Sequence, residues 1–231
     1  MLALASFRDL ELRILHWVTC DLGTPFGEDF VFWTHHPAFW LFLVPLLFLL
    51  VAVTKRGRGR LPGVLVTLVL TLGVVHGVRE VVWRVAPRAR PGASFTEAQI
   101  LRGRVAIGTC ERSPEMWVER SYPPRSSSMP SSHAVSVGAL AIAITLGAPW
   151  AGVLAWAFAA SIGFGRLFLG KHWPSDVVAG FALAILAGVL VHRCVTPRVL
   201  ELLGRLRRGS RAGAGLRHPP DEPPDAGGLP R

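Results

Sequence analysis

From Pro37 to Val53 the chain runs for seventeen residues without a charge, and then meets Lys55-Arg56-Gly57-Arg58-Gly59-Arg60. A helix of that length is just able to span the hydrocarbon core of a bilayer, and a cluster of cations at its end marks a cytoplasmic side. The alternation recurs along the chain. Leu61 to about Val82 is a second apolar run, interrupted late by His76, Arg79 and Glu80, which must face protein or water. Ser131 to Gly147 and Ala151 to Gly170 are the third and fourth, the latter rich in the small residues of close-packed membrane helices. Pro174 makes a turn, and Ser175 or Asp176 caps a fifth run that continues to about Val195. The composition is 51% hydrophobic with a net charge of +10, and few soluble domains combine the two. Apolar spans joined by basic loops reconcile them. The arginines lie between apolar runs and not on one amphipathic face, which argues against nucleic acid as a partner.

The predicted architecture is therefore all-α: a polytopic membrane helical bundle of about five transmembrane helices, preceded by an interfacial helix. Residues 1–36 lack the clean apolar core and small-residue cleavage site of a signal peptide. Leu10, Leu12, Ile14, Leu15, Trp17 and Val18 instead suggest an amphipathic helix, with Phe30, Phe32 and Trp33 as aromatic anchors. An ordinary packed helix is the competing reading. Residues 37–195 form the membrane domain, and residues 196–231 a basic tail that begins as an amphipathic helix and is disordered after 209. Residues 83–129 form the one long polar segment between spans. If residues 55–60 are cytoplasmic, the parity of five spans puts the tail on the same side and the long loop on the other. Cys20 and Cys110 would share the outer side, where a disulfide between them is permitted.

The chemistry-bearing residues sit at the ends of these runs. Arg166, His172 and Asp176 are spaced Arg-x5-His-x3-Asp, and Met129-Pro130-Ser131-Ser132-His133 opens the third span. A guanidinium holds phosphate through forked hydrogen bonds. An imidazole attacks phosphorus or carries a proton, and a nearby carboxylate fixes its tautomer. By the parity count both blocks meet on the side opposite the basic residues 55–60. Either block alone is as well explained by packing or headgroup contacts. His35 and His36 read as interfacial, and His76 and His192 as structural.

Pro130-Ser131-Ser132-His133 and Gly165-Arg166…His172…Asp176 resemble the second and third signature motifs of the type-2 phosphatidic acid phosphatase superfamily, over roughly residues 60–195. The resemblance implies that His172 is a nucleophile forming a phosphohistidine, that Asp176 orients it, and that His133 is the general acid. It assigns phosphate binding to Arg166, Ser131 and the backbone of Ser132, and implies no metal or cofactor. The first motif, Lys-x6-Arg-Pro, is matched at Arg90-Pro91, with Arg88 at a position often occupied by arginine. Trp83 stands where the lysine belongs, and Gly165 where a serine usually precedes the arginine. Arg84, one residue late, and Arg79, one turn earlier, are both candidates for the missing charge.

The resemblance thus implies a metal-independent lipid phosphatase of the cell membrane, with its site facing the periplasm or exterior. A polyprenyl diphosphate such as undecaprenyl diphosphate is the expected substrate, since the arginine-rich loop suits a diphosphate. Phosphatidic acid, phosphatidylglycerol phosphate and lipid A are rival substrates. A lipid phosphotransferase, or a transporter or scaffold with the same fold, are rival functions. The sequence leaves the oligomeric state open.

Overall fold

The computed structural model describes residues 2–18, 30, 34, 36–53, 55–91 and 127–215. These form helices α1 (Leu2–His16), α2 (Pro37–Ala52), α3 (Lys55–Val85), α4 (Ser132–Gly147), α5 (Pro149–Phe168) and α6 (Pro174–Leu190). A π-helical turn, Val191–Val195, joins α6 to α7 (Thr196–Gly215), and no strand occurs among the described residues. Cys20, Cys110, Phe32, Trp33 and His35 lie outside them, as do residues 92–126 of the long loop. Cys194 is a free, exposed thiol.

Helix α4 is the centre of the bundle. It packs against α2, α3, α5 and α6, and buries Val135, Val137, Leu140, Ala141 and Ile144 among others. The outward faces of the surrounding helices stay apolar: Leu41 and Phe42 on α2, Val69 on α3, Val153 on α5 and Leu186 on α6 are all exposed. So much exposed apolar surface suits contact with lipid chains, not with water.

Five apolar helices stand where five spans were predicted, but they differ in length. Arg56–Val85, Pro149–Phe168 and the continuous stretch Pro174–Leu206 are long and apolar enough to cross a membrane, while Phe39–Ala52 and Ser132–Gly147 are shorter. Two predicted boundaries also move. The basic residues 55–60 form the first turns of α3 and not a loop, because long cationic side chains reach water from a helix end. The tail stays helical to Gly215, beyond the predicted onset of disorder at 209.

Several polar groups within the bundle pair with one another, as a low-dielectric interior favours. Thr67 Oγ1 lies 3.0 Å from His192 Nδ1 and 2.9 Å from Thr196 Oγ1, tying α3 to the π-helical turn and α7. His76 Nε2 lies 3.1 Å from Ser136 Oγ, and its Nδ1 lies 3.1 Å from Arg79 Nη1. His76 and His192 thus have the structural surroundings expected of them. Arg60 Nη1 donates to the Gly147 carbonyl at 3.2 Å, so the basic start of α3 and the C-terminus of α4 share one end of the bundle. The N-termini of α4 and α6 share the other.

That second end depends on one glycine. A Cβ on Gly180 of α6 would lie 2.9 Å from Ala134 Cβ and 3.1 Å from the Ser131 carbonyl oxygen, at the first turn of α4. Backbone cannot swing aside as a side-chain tip can. Gly180→Ala should therefore destabilise the detergent-solubilised protein by about 1–3 kcal/mol, the usual range for overpacking. Gly73→Ala on α3 has nothing within 4 Å of the new carbon and should be neutral or slightly stabilising. Thermal unfolding of the two variants side by side checks the contrast.

Candidate active site

Helix α5 ends at Phe168, and the chain reverses through Gly170, whose φ of 58° is the left-handed conformation that favours glycine. Lys171 N donates to the Arg166 carbonyl at 3.0 Å, which closes the turn around the arginine. Pro174 and Ser175 then open α6. Asp176, at its third position, turns its Oδ2 back to accept from Trp173 N at 2.8 Å, half of a capping box. The spacing of His172 and Asp176 is thus that of a helix start.

Asp176 is fully buried, and the segments before α4, after α3 and before α6 all meet it. Its Oδ2 also accepts from Ser128 Oγ, and its Oδ1 from Arg88 Nη1 at 2.8 Å. Its backbone carbonyl accepts from Ser131 N at 3.0 Å, fixing the start of α4 against the start of α6. Residues 88–90 run alongside. Ser128 N donates to the Arg88 carbonyl at 2.7 Å, Arg88 N to Ser127 Oγ at 3.1 Å, and Trp173 Nε1 to the Ala89 carbonyl at 2.9 Å.

His172 is 1% exposed. Its Nδ1 lies 2.9 Å from the Ser128 carbonyl oxygen and 3.7 Å from Asp176 Oδ2. A carbonyl only accepts, so Nδ1 carries the proton and Nε2 the lone pair. The orienting hydrogen bond therefore comes from the Ser128 backbone, while Asp176 is too distant to accept and acts as a neighbouring charge. Nε2 is buried without a hydrogen-bond partner among the described residues. Burial holds the His172 pKa below its ordinary value. The Asp176 carboxylate opposes that effect, and the charges of Arg166 and Arg90 add to it.

The predicted residues fall into three groups. Arg166 and Arg90 are buried close enough for their charges to act on His172, and Arg90 Nη1 reaches the Lys171 carbonyl at 3.3 Å. Ser131 is the N-cap of α4, its Oγ accepting from Ala134 N at 3.5 Å, which puts Ser132 and His133 in the first turn. Their N–H groups precede the first intrahelical acceptor, and the helix end favours an anion. Arg84 and Arg88 are placed differently from the phosphate-binding role predicted for them. Arg84 pairs with Glu80 on the exposed face of α3, at 3.0 Å. Arg88 is held between two carboxylates, Asp176 and Glu11, the second at 2.5 Å. Arg79 instead stacks over Trp83 at 3.9 Å and donates to His76, whose other ring nitrogen contacts Ser136.

Three participants were not read from the sequence: Ser128, Ser175 and Glu11. Ser128 follows Ser126 and Ser127 directly, with nothing to distinguish it from a polar linker. Ser175 was expected only as an alternative cap for α6.

Residues 64–200 match the description of the PAP2 superfamily. The chain belongs to that superfamily. An undecaprenyl-diphosphatase from Sulfolobus acidocaldarius is 38% identical to it over 61 residues, which make up 26% of this chain and 30% of that relative. The match thus spans less than a third of the relative's length. Among solved structures, a transmembrane PAP2 type phosphatidylglycerolphosphate phosphatase from Bacillus subtilis aligns over 80% of this chain and 84% of its own. The identity there is 19% and the TM-score 0.49. The PAP2 match includes both histidine blocks and all of α4, α5 and α6, and leaves out α1.

The site generates two expectations. Protonated His172 has no lone pair at Nε2 and faces two guanidinium groups, so activity should fall as pH drops. Because its pKa lies below 6.5, the acid limb of kcat/KM due to this group should lie below 6.5 as well. A limb centred above that value in a pH–rate profile contradicts the geometry. Ser128→Ala keeps the carbonyl on Nδ1 but removes the hydroxyl from Asp176. Hydrogen bonds to charged groups contribute about 1.5–3 kcal/mol, so kcat should fall about ten- to hundredfold in steady-state assays.

Proposed function

We propose that this protein is a lipid phosphatase that releases phosphate from a polyprenyl diphosphate through a phosphohistidine at His172. The observation that carries the reading is His172 itself: a buried imidazole with its proton held at Nδ1 and a free Nε2 beside Arg166 and Arg90. A neutral nitrogen nucleophile needs fixed positive charge around the equatorial phosphate oxygens and an acid for the leaving oxygen.

In the proposed sequence the Nε2 lone pair attacks the terminal phosphorus and the bond to the lipid-side oxygen breaks. His133 gives its proton to that oxygen, so the lipid leaves one phosphate shorter. His133 then takes a proton from water as the oxygen attacks the phosphohistidine. The P–N bond breaks, inorganic phosphate leaves and neutral His172 returns. Arg166 and Arg90 neutralise the transferring group, with the first-turn N–H groups of α4.

A diphosphate is favoured because two guanidinium groups, Arg166 and Arg90, act together on His172, and because the Sulfolobus relative bears the name of that activity. The substrate's single long tail would lie against the lipid-facing helices. The site is assigned to the outer face of the cell membrane, since the basic start of α3 and the basic helix α7 lie at the opposite end.

Purified protein should release phosphate from a C55-type prenyl diphosphate with higher kcat/KM than from phosphatidic acid in the same micelles. His172→Ala should abolish release. His133→Ala should slow it by about 10²–10⁴-fold, least where the leaving group is good. Preference for phosphatidic acid or phosphatidylglycerol phosphate overturns the substrate, and turnover by His172→Ala at the wild-type rate overturns the mechanism. For orientation, Pro87→Cys and Arg205→Cys in a background with Cys20, Cys110 and Cys194 replaced by Ser should be labelled from opposite sides of the membrane. Labelling from one side contradicts the topology.

A further inference from the structure

Glu11 lies on α1, in the part of the chain that precedes the PAP2 match, yet it is among the most buried carboxylates, at 3% exposed. Phe7 and Leu10 on α1, and Trp17 just after it, are exposed, whereas Glu11 is turned inward together with Leu15. A carboxylate buried near the membrane without partners is strongly disfavoured. Glu11 has three. Its Oε2 accepts from Arg88 Nη2 at 2.5 Å, and its Oε1 from Ser175 Oγ at 2.5 Å and Ser175 N at 3.2 Å.

The same residues reach Asp176, four positions after the candidate nucleophile. Arg88 Nη1 donates to Ser175 Oγ at 2.6 Å and to Asp176 Oδ1 at 2.8 Å. One guanidinium is thus stretched between Glu11 and Asp176, with its centre 5.3 Å above the Trp173 ring. Ser175 and Asp176 are the second and third residues of α6, where negative charge is favoured by the helix end. Glu11 therefore holds the second terminal nitrogen of the guanidinium whose first nitrogen is on Asp176, and ties α1 to the start of α6, just after the turn that carries His172.

We propose that Glu11 is a positioning residue, which holds Arg88 on Asp176 and so makes α1 a working part of the active site. Without the Glu11 carboxylate, Arg88 loses one of its two anionic partners and is free to turn toward the phosphate site. Asp176 then loses its fixed cation, and the turn bearing His172 loses its outer strap. Catalysis suffers more than binding, because an added loose cation near the site attracts a phosphate without placing it for attack. The seating of α1 at the bilayer surface is thereby coupled to the geometry at His172.

This inference rests on the proposed phosphohistidine role, and the test separates the two. The full-length wild type, Glu11→Gln, Arg88→Ala and the double variant are compared in detergent micelles, with Asp9→Asn on the exposed face of α1 as control. Phosphate release and the affinity for orthovanadate, a stand-in for pentavalent phosphorus that needs no turnover, are both measured. Glu11→Gln should lower kcat about tenfold with KM unchanged or lower, and weaken vanadate binding. In the Arg88→Ala background it should change neither quantity by more than about twofold, since coupled residues act non-additively. If Glu11 only anchored α1, its effect would multiply with that of Arg88→Ala. That outcome, or a Glu11→Gln protein equal to wild type in both readouts, overturns the proposal. Wild-type protein that binds vanadate with the predicted coupling but releases no phosphate would overturn the phosphatase reading and leave the positioning role standing.

Discussion

The buried carboxylate of Asp176 is the interaction on which the rest of this structure depends. An ionised acid without solvent is tolerable only when its lone pairs are occupied and its charge is opposed. Here the backbone of Trp173, the hydroxyl of Ser128 and the guanidinium of Arg88 do so, and each belongs to a different part of the turn, the loop end or the segment after α3. Satisfying one charge therefore assembles three segments. The imidazole of His172 is brought to the Ser128 carbonyl as a consequence, and the start of α4 is fixed by the Asp176 backbone. Removing one partner would leave the charge uncompensated, so the site is expected to be lost as a unit.

The bundle serves that assembly. Small residues let α4 and α6 approach until backbone meets side chain at Gly180, and this contact lies at the end where both helices begin. At the far end Thr67, His192 and Thr196 close on one another around the π-helical turn. The two ends are therefore pinned by different means: charge and capping at the site, neutral hydroxyl–imidazole contacts at the basic end. Between them the surface is apolar and needs only lipid.

Much of this was legible in the chain. Uncharged runs punctuated by arginine announced an all-helical membrane bundle, and the number of apolar helices follows the number of runs. The two shortest runs, Pro37–Val53 and Ser131–Gly147, became the two shortest apolar helices of the bundle, Pro37–Ala52 and Ser132–Gly147. The local part of the site was legible too. Arg166, His172 and Asp176 lie within one turn and helix start, where spacing in sequence is spacing in space. The remainder is non-local. Glu11 and Ser175 are 164 residues apart, and Ser128 and Asp176 are 48 apart. No periodicity joins such pairs. Arg88 was noticed for its neighbourhood to Arg90-Pro91, and its capture by two acids depends on a helix outside the matched region.

The central claim is that His172 Nε2 is the atom that takes the phosphoryl group. Rapid mixing of the protein with a lipid diphosphate, an alkaline quench within the first turnover and mass spectrometry of the digested chain would test it directly. Phosphate on His172 is the expected result. Phosphate on another side chain, or an unmodified His172 at a time when one equivalent of lipid product has been released and inorganic phosphate has not, would contradict it.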